Sequence, residues 1–276
     1  MKLRFILPAV FILLSSTLSS CYKAIPKEKD IQLGALTSHK IHSDPKQYPL
    51  LSKTEYPDTY KHLTRVVNNI LDSPEIHERD IFAYDSITII NDDKIINAFC
   101  TPGGYIFVYT GLIKLAQNED QLASVIGHEI GHAELRHSVK KLTRGVGRQA
   151  VIIAGAAAAG ASFGVFIAVE VANKILGLGM GRDQENHADK QSVIYLGTGN
   201  KYSSVALADF FTELTKSGNN VNIPPIISTH PDTENRIFRI RKWAKKYGYN
   251  TEYKTHPDFL LLQASIQGAS KKEKAK

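Results

Sequence analysis

Cysteine is nearly absent: the 276 residues hold two, Cys21 and Cys100, so no disulfide scaffold supports this chain. Charge, proline and glycine are not in surplus either, at 22% charged residues, 11 Pro and 19 Gly against 43% hydrophobic residues. That balance excludes global disorder and collagen-like structure and leaves enough apolar residues for one good core. The formal charge of +7 is a local matter. Lys2 and Arg4 contribute two of those charges, and the tail Lys271-Lys272-Glu273-Lys274-Ala275-Lys276 a net three. What remains is too little to argue for nucleic acid as a partner. There is no internal repeat, which removes solenoids from consideration.

Residues 1–20 pass from Lys2 and Arg4 through an apolar stretch, Phe5 to Leu14, to small and polar residues before Cys21. This is the order of an export signal peptide, and its apolar stretch is too short to span a bilayer stably. A cut after Ser20 leaves Leu18 third from the end, where an ordinary signal carries a small residue. Leu18-Ser19-Ser20-Cys21 instead resembles a bacterial lipobox, with Cys21 as the acylated first residue of the mature chain. Two or three acyl chains, at about 0.8 kcal/mol per buried CH₂, hold a domain at a membrane surface. Tyr22 stands where an aspartate would resemble an inner-membrane retention signal, which favours the outer membrane over the inner. A plain secretory signal is the alternative. Residues 21–52 are polar, interrupted by Pro26, Pro45 and Pro49, and read as a lipidated tether.

Beyond the tether, Tyr56 to Leu71 carries apolar residues at helical spacing, and three short β-type runs follow: Ile81 to Ile90, Lys94 to Phe99 and Tyr105 to Tyr109. They read as a small meander or sheet with an exposed edge. Helices are expected from Asn118 or Asp120 to about Leu142, then over 183–195, 203–215 and 233–247. Strands first and helices after imply an α+β domain over 53–250, with an apolar insert at 146–176 and a basic tail at 251–276.

Within the first long helix lies His128-Glu129-Ile130-Gly131-His132. Four helical residues turn the chain by about 400°, so both imidazoles point the same way, roughly 6 Å apart along the axis, and can share one ion. Zinc accepts imidazole nitrogen, and Glu129, offset by one residue, can approach a bound water without being a ligand. A catalytic zinc needs a third protein ligand. The metzincin and thermolysin-like positions are filled by Ser138 and, near Ile152, by a stretch free of acids. Among Glu134, Glu170, Asp183, Glu185 and Asp189, Glu185 is the best candidate: it lies on the next expected helix with Asp189 one turn on, placed to orient a ligand imidazole. His187 adds a spare imidazole beside that pair.

Five stretches together resemble the M48 metallopeptidases: Asn97 to Gly104, Gly111-Leu112, Gly127 to His137, Arg182 to Asp189, and Ser228-Thr229-His230-Pro231 with Arg236-Ile237. The resemblance spans residues 97 to 237. It implies a mainly helical, zincin-type (gluzincin-like) domain with a small β-sheet bearing an edge strand, and one Zn²⁺ per chain held by His128, His132 and Glu185, with Asp189 behind them. It also brings His230 and Arg236 to the active site, where they are expected to stabilise the oxyanion beside the general base Glu129. Asn97, Ala98, Gly104 and Tyr105 are expected to hold an extended peptide along the edge strand. A sharper possibility is that His230 fills the open zinc position at rest.

The implied activity is a membrane-anchored zinc endopeptidase of the bacterial envelope acting on misfolded or misassembled proteins. A lipid-anchored chaperone or assembly factor with a structural metal site is the competing reading. Val151 to Val169 runs nineteen residues without a charge. A single membrane pass there would separate Glu185 from the two histidines, so a helix or broken pair that folds over the protein, lies on the bilayer or touches a client fits better. Simple core burial stands beside these.

Overall fold

The computed structural model describes residues 25–146, 172–177, 179–217, 230 and 233–267. The expected signal peptide, Cys21, most of the expected insert at 146–176, including Val151 to Val169, and the last nine residues lie outside them. The architecture is α+β and mainly helical, with one three-stranded sheet among the described residues. In chain order the elements are α1 (Lys27–His42), α2 (Pro57–Leu71), β1 (Ile87–Ile90), β2 (Ala98–Cys100), a 3₁₀ turn (Pro102–Gly104) and β3 (Ile106–Tyr109). Then come α3 (Thr110–Leu115), α4 (Glu119–Glu134), α5 (His137–Val146), α6 (Arg182–Gly199), α7 (Ala206–Ser217), α8 (Thr233–Tyr247) and α9 (Pro257–Gln267). No helix among the described residues is long and apolar enough to cross a membrane.

The sheet is not a meander. Its order is β1-β3-β2: β3 runs parallel to β1, with Ile87 opposite Ile106, and antiparallel to β2, with Ala98 opposite Val108. Alternating side chains divide between two cores. Ile87, Ile89, Ala98, Cys100, Ile106 and Val108 face the main core, built by α2, α4, α6 and α7. Phe107 and Tyr109 face a smaller one with Ile41 of α1 and Tyr48, and Phe99 packs against it. Phe99 and Phe107 stack there with ring centroids 4.8 Å apart.

That second core corrects the tether reading. Residues 27–42 form α1, whose buried residues Asp30, Leu33, Gly34, Thr37 and Ile41 lie on one helical face. Gly34 sits so close to the Pro102 carbonyl that a Cβ there would stand 1.9 Å from the oxygen. The basic-tail reading changes too: α9 occupies part of 251–276 and buries Phe259, Leu262 and Ile266 beside α2.

Helix α4 begins where its cap was expected, the Asn118 side chain accepting from the Gln121 N–H at 3.0 Å. Ile126 and Ile130 are fully buried. The helix stops short of Leu142 because Arg136 adopts a left-handed conformation, φ 53°, before α5 starts. A non-glycine residue there costs free energy unless tertiary contacts hold it. The contacts are from α1 and the residues just before it: Arg136 donates from Nε and Nη2 to both Asp30 oxygens, each at 2.7 Å, and from Nη2 to the Ile25 carbonyl at 2.8 Å.

Helix α4 packs chiefly against α6. Gly127 and Gly131 lie one turn apart on the contact face, where added Cβ atoms would come within 3.2 Å of Leu196 and 3.1 Å of Gln191. This close approach brings a side chain from α6 to the imidazoles of α4. Because Asp30 is buried at the turn that ends α4, Asp30→Ala leaves Arg136 unpaired and should lower unfolding free energy by about 3–5 kcal/mol in urea titrations. A loss under about 1 kcal/mol would show that the pair does not hold the turn.

Candidate metal centre

His128 and His132 point the same way from α4, their Nε2 atoms 3.0 Å apart. Across the helix contact, Glu185 of α6 brings Oε2 to 3.5 Å from His128 Nε2 and Oε1 to 3.5 Å from His132 Nε2. A fourth donor arrives from far along the chain: His230 Nδ1 lies 2.9 Å from both Glu185 oxygens and 3.3 Å from His128 Nε2. All four residues are buried, and their ligand atoms lie within 4.8 Å of one another. Ligands at 2.0–2.1 Å from a tetrahedral ion stand about 3.3 Å apart, so the donor set fits a single zinc-sized cation.

The charges agree. Glu185, Asp189 and Glu129 oppose the single guanidinium of Arg236, leaving two formal negative charges in a buried space. Burial alone pushes the Glu185 carboxyl up, but hydrogen bonds from the three histidines hold it far below the usual range. For His128, burial favours the neutral ring, yet the carboxylates of Asp189 and Glu185 outweigh it and raise the imidazole to about 9.

Each candidate ligand has a support behind it. Asp189 Oδ1 is 3.0 Å from His128 Nδ1, which turns Nε2 toward the centre. Asp189 itself is gripped by Arg236, from Nε at 2.8 Å and Nη2 at 2.6 Å. Burial opposes ionisation of Asp189, but that guanidinium keeps its pKa low. Arg236 also reaches Glu185 Oε2 at 3.1 Å and the His230 carbonyl at 2.9 Å, and it lies 4.4 Å from the Phe211 ring centroid. It is fully buried and does not line the cavity. The geometry is that of a brace rather than of the oxyanion donor expected above.

His132 has a support that the sequence reading missed. Its Nδ1 lies 2.8 Å from Nδ1 of His137, the first residue of α5. Burial, and the nearby imidazole of His132, bring the His137 pKa down to about 2, so its ring is neutral and offers an acceptor for Nδ1–H of a His132 whose Nε2 holds a metal. His132 Nε2 faces the centre, 3.5 Å from Glu185 Oε1. A signal existed in the stretch from Gly127 to His137, but an unbroken helix would turn His137 to the other side of α4. The exposed His187 stays outside the ligand set, its ring stacked on His137 at 6.3 Å. Glu134, another acid considered, instead accepts from the Tyr84 hydroxyl and the N–H groups of His77 and Glu78.

Beside the centre lies a cavity of about 140 Å³ reaching Glu129, His132 and His230. Asn97 and Ala98 line it, on the edge strand and at its start. Asn97 Oδ1 and Glu129 Oε1 are buried without a hydrogen-bond partner. Gly104 and Tyr105 do not line it: Gly104 lies against Phe82 and Tyr84, and Tyr105 packs on the second core. They belong to the approach to β3, the central strand, whose neighbours occupy both edges.

The family model for peptidase family M48 matches residues 57–244. A putative beta-barrel assembly-enhancing protease of Vibrio cholerae is 29% identical over 76% of this chain and 48% of its own length. The beta-barrel assembly-enhancing protease of Escherichia coli K12 is 25% identical over 75% of this chain and 44% of its own. The mitochondrial metalloendopeptidase OMA1 of Schizosaccharomyces pombe is 30% identical over 55% of this chain and 44% of its own. The chain spans about half the length of these relatives.

Replacing His137 by Ala removes the acceptor behind His132 and should weaken metal affinity about 10–100-fold in chelator competition, with the helical circular dichroism intact. Unchanged affinity would assign His137 a packing role only.

Proposed function

The chain belongs to peptidase family M48, and on that premise we propose that it is a zinc-dependent endopeptidase of the bacterial envelope, anchored through Cys21 and clearing misfolded or misassembled proteins. The observation that carries this reading is the convergence of His128, His132 and Glu185 beside the unpartnered Glu129 oxygen. The names of the two bacterial relatives favour the envelope role.

Zinc held by these residues supplies Lewis acidity and lets water ionise near neutral pH. Glu129 then accepts the proton of the attacking water and returns it to the leaving amine. Its carboxylate suits this because it is buried beside the cavity with one oxygen free. Asn97 and the open side of β2 hold the peptide extended through main-chain hydrogen bonds, so recognition by this strand is tolerant of sequence. His230, with Nε2 3.6 Å from Glu129 Oε1, serves twice. At rest it could complete the set of residues holding a cation, and once displaced by substrate it would stay near enough to donate to the oxyanion. Arg236 fixes the His230 backbone and Glu185 together, so its part is positional.

Glu129→Gln should retain zinc and fold while proteolysis of a denatured protein falls by at least about 10²-fold, and a chelator should abolish wild-type cleavage. Equal cleavage by wild type and variant would overturn the peptidase reading and favour a chaperone. X-ray absorption of the resting zinc protein should show three imidazoles and one carboxylate, with one imidazole lost in His230→Ala. Two imidazoles in the resting wild type would remove the closed state.

A further inference from the structure

Helix α9 is apolar on two faces. Phe259, Leu262 and Ile266 enter the main core, while Pro257, Leu260, Leu261 and Ala264 share the opposite face at helical spacing and are exposed. Leu260 is 70% exposed and Leu261 57%. The polar side chains of the helix are engaged on the protein side. Gln263 Nε2 donates to the Ile113 and Ala116 carbonyls, each at 2.9 Å, Ser265 Oγ accepts from the Thr59 hydroxyl at 2.7 Å, and Asp258 lies 3.3 Å from Arg65. A helix apolar all round belongs inside, so an outward face of this kind calls for a partner.

What can cover it is limited. The chain's own end cannot, because Ala269 and Ala275 are the only apolar side chains among residues 268–276. A second copy finds too little surface: four side chains offer a few hundred Å² at most, against roughly 800 Å² per partner in a stable dimer. A bilayer needs no interface of set size, since each apolar side chain can sink into it separately. The residues after the helix select an anionic one. Lys271, Lys272, Lys274 and Lys276 follow with Glu273 as the one opposing charge, and lysines beside an apolar helix face favour negative headgroups. The groove between α9 and α2 does not oppose this, being bordered by Lys61 and Arg65 as well as Asp58 and Asp258.

The place of α9 in the fold agrees. Asp258 pairs with Arg65, which also holds Glu119 at the start of α4, whereas Ile25, four residues after Cys21, meets Arg136 just past the other end. The 16 residues of α4 span about 24 Å, so a domain attached at Cys21 keeps α9 within reach of the same surface. Two contacts that far apart fix how the domain sits on it.

We propose that α9 is a second membrane contact: Leu260 and Leu261 enter an anionic lipid surface, and the lysines that follow bind its headgroups. The contact stands on α9 itself; its part in orienting the domain rests on the reading of Cys21 as an anchor.

The chain from Cys21 onward keeps every described residue. Made with Cys21→Ser, so that neither signal peptide nor acyl chain contributes, it is sedimented with vesicles of phosphatidylethanolamine holding a minority of phosphatidylglycerol, and with pure phosphatidylcholine vesicles. Binding to the anionic vesicles should be at least about tenfold tighter and should weaken in high salt. Leu260→Gln combined with Leu261→Gln should weaken it at least about tenfold, with zinc content and helical circular dichroism unchanged, and Leu260→Met combined with Leu261→Met should retain it. Gln at positions 271, 272 and 274 should remove the preference for anionic lipid. Absence of binding, or equal binding by wild type and the double Gln variant, overturns the membrane contact. Binding that needs the leucines but ignores salt and lipid charge overturns the part given to the lysines. A dimer in light scattering that the double Gln variant dissolves, without vesicle binding, overturns the proposal and assigns the face to a second copy.

Discussion

Buried negative charge governs this molecule. Glu185 and Asp189 are almost wholly removed from water, together with Glu129, and one guanidinium, that of Arg236, faces them. Each carboxylate costs several kcal/mol to desolvate, so an arrangement left two charges negative is tolerable only with further positive charge among the imidazoles. A divalent cation between His128, His132, Glu185 and His230 would meet that demand. The Arg236–Asp189–His128 chain thereby couples fold to chemistry: the residues that make burial affordable are those that aim the ligand nitrogens.

The two histidines on α4 are supported unequally. His128 leans on a carboxylate, which strengthens its nitrogen as a ligand, whereas His132 leans on a neutral imidazole, which fixes the ring without adding charge. His137 occupies that place only because α4 ends at Arg136, and Arg136 is held by Asp30 of α1. The N-terminal layer is consequently part of the centre's support, and through Tyr48 it is also part of the cavity wall.

Several readings failed for identifiable reasons. The buried face of α1 has correct helical spacing, but Asp30, Gly34 and Thr37 occupy it, so no apolar period shows in the sequence. Conversely, Phe259, Leu262 and Ile266 do repeat at helical spacing, hidden beside a lysine-rich end that suggested a tail. Gly104 and Tyr105 were placed on an edge because consecutive strands commonly pair; here β3 inserts between β1 and β2. Arg236 is expected from the resemblance to stabilise an oxyanion, but it is fully buried and hydrogen-bonds Asp189, the geometry of a brace.

Local periodicity made His128, Glu129 and His132 legible from sequence alone, together with the Asn118 cap and most helix positions, because each depends on neighbours a few residues away. Glu185 was legible as the best of several acids because Asp189 follows one turn on in the same helix, and the wider resemblance pointed to the same residue. The sequence by itself therefore determined the imidazole pair and the carboxylate of Glu129 between them. Tertiary structure alone decided that His230 and Glu185 meet that pair, that His137 turns back to support it, and that Tyr48 walls the cavity. These contacts join residues up to about a hundred positions apart, and their geometry follows from helix approach at Gly127 and Gly131, strand order and the kink at Arg136, none of which a local pattern encodes.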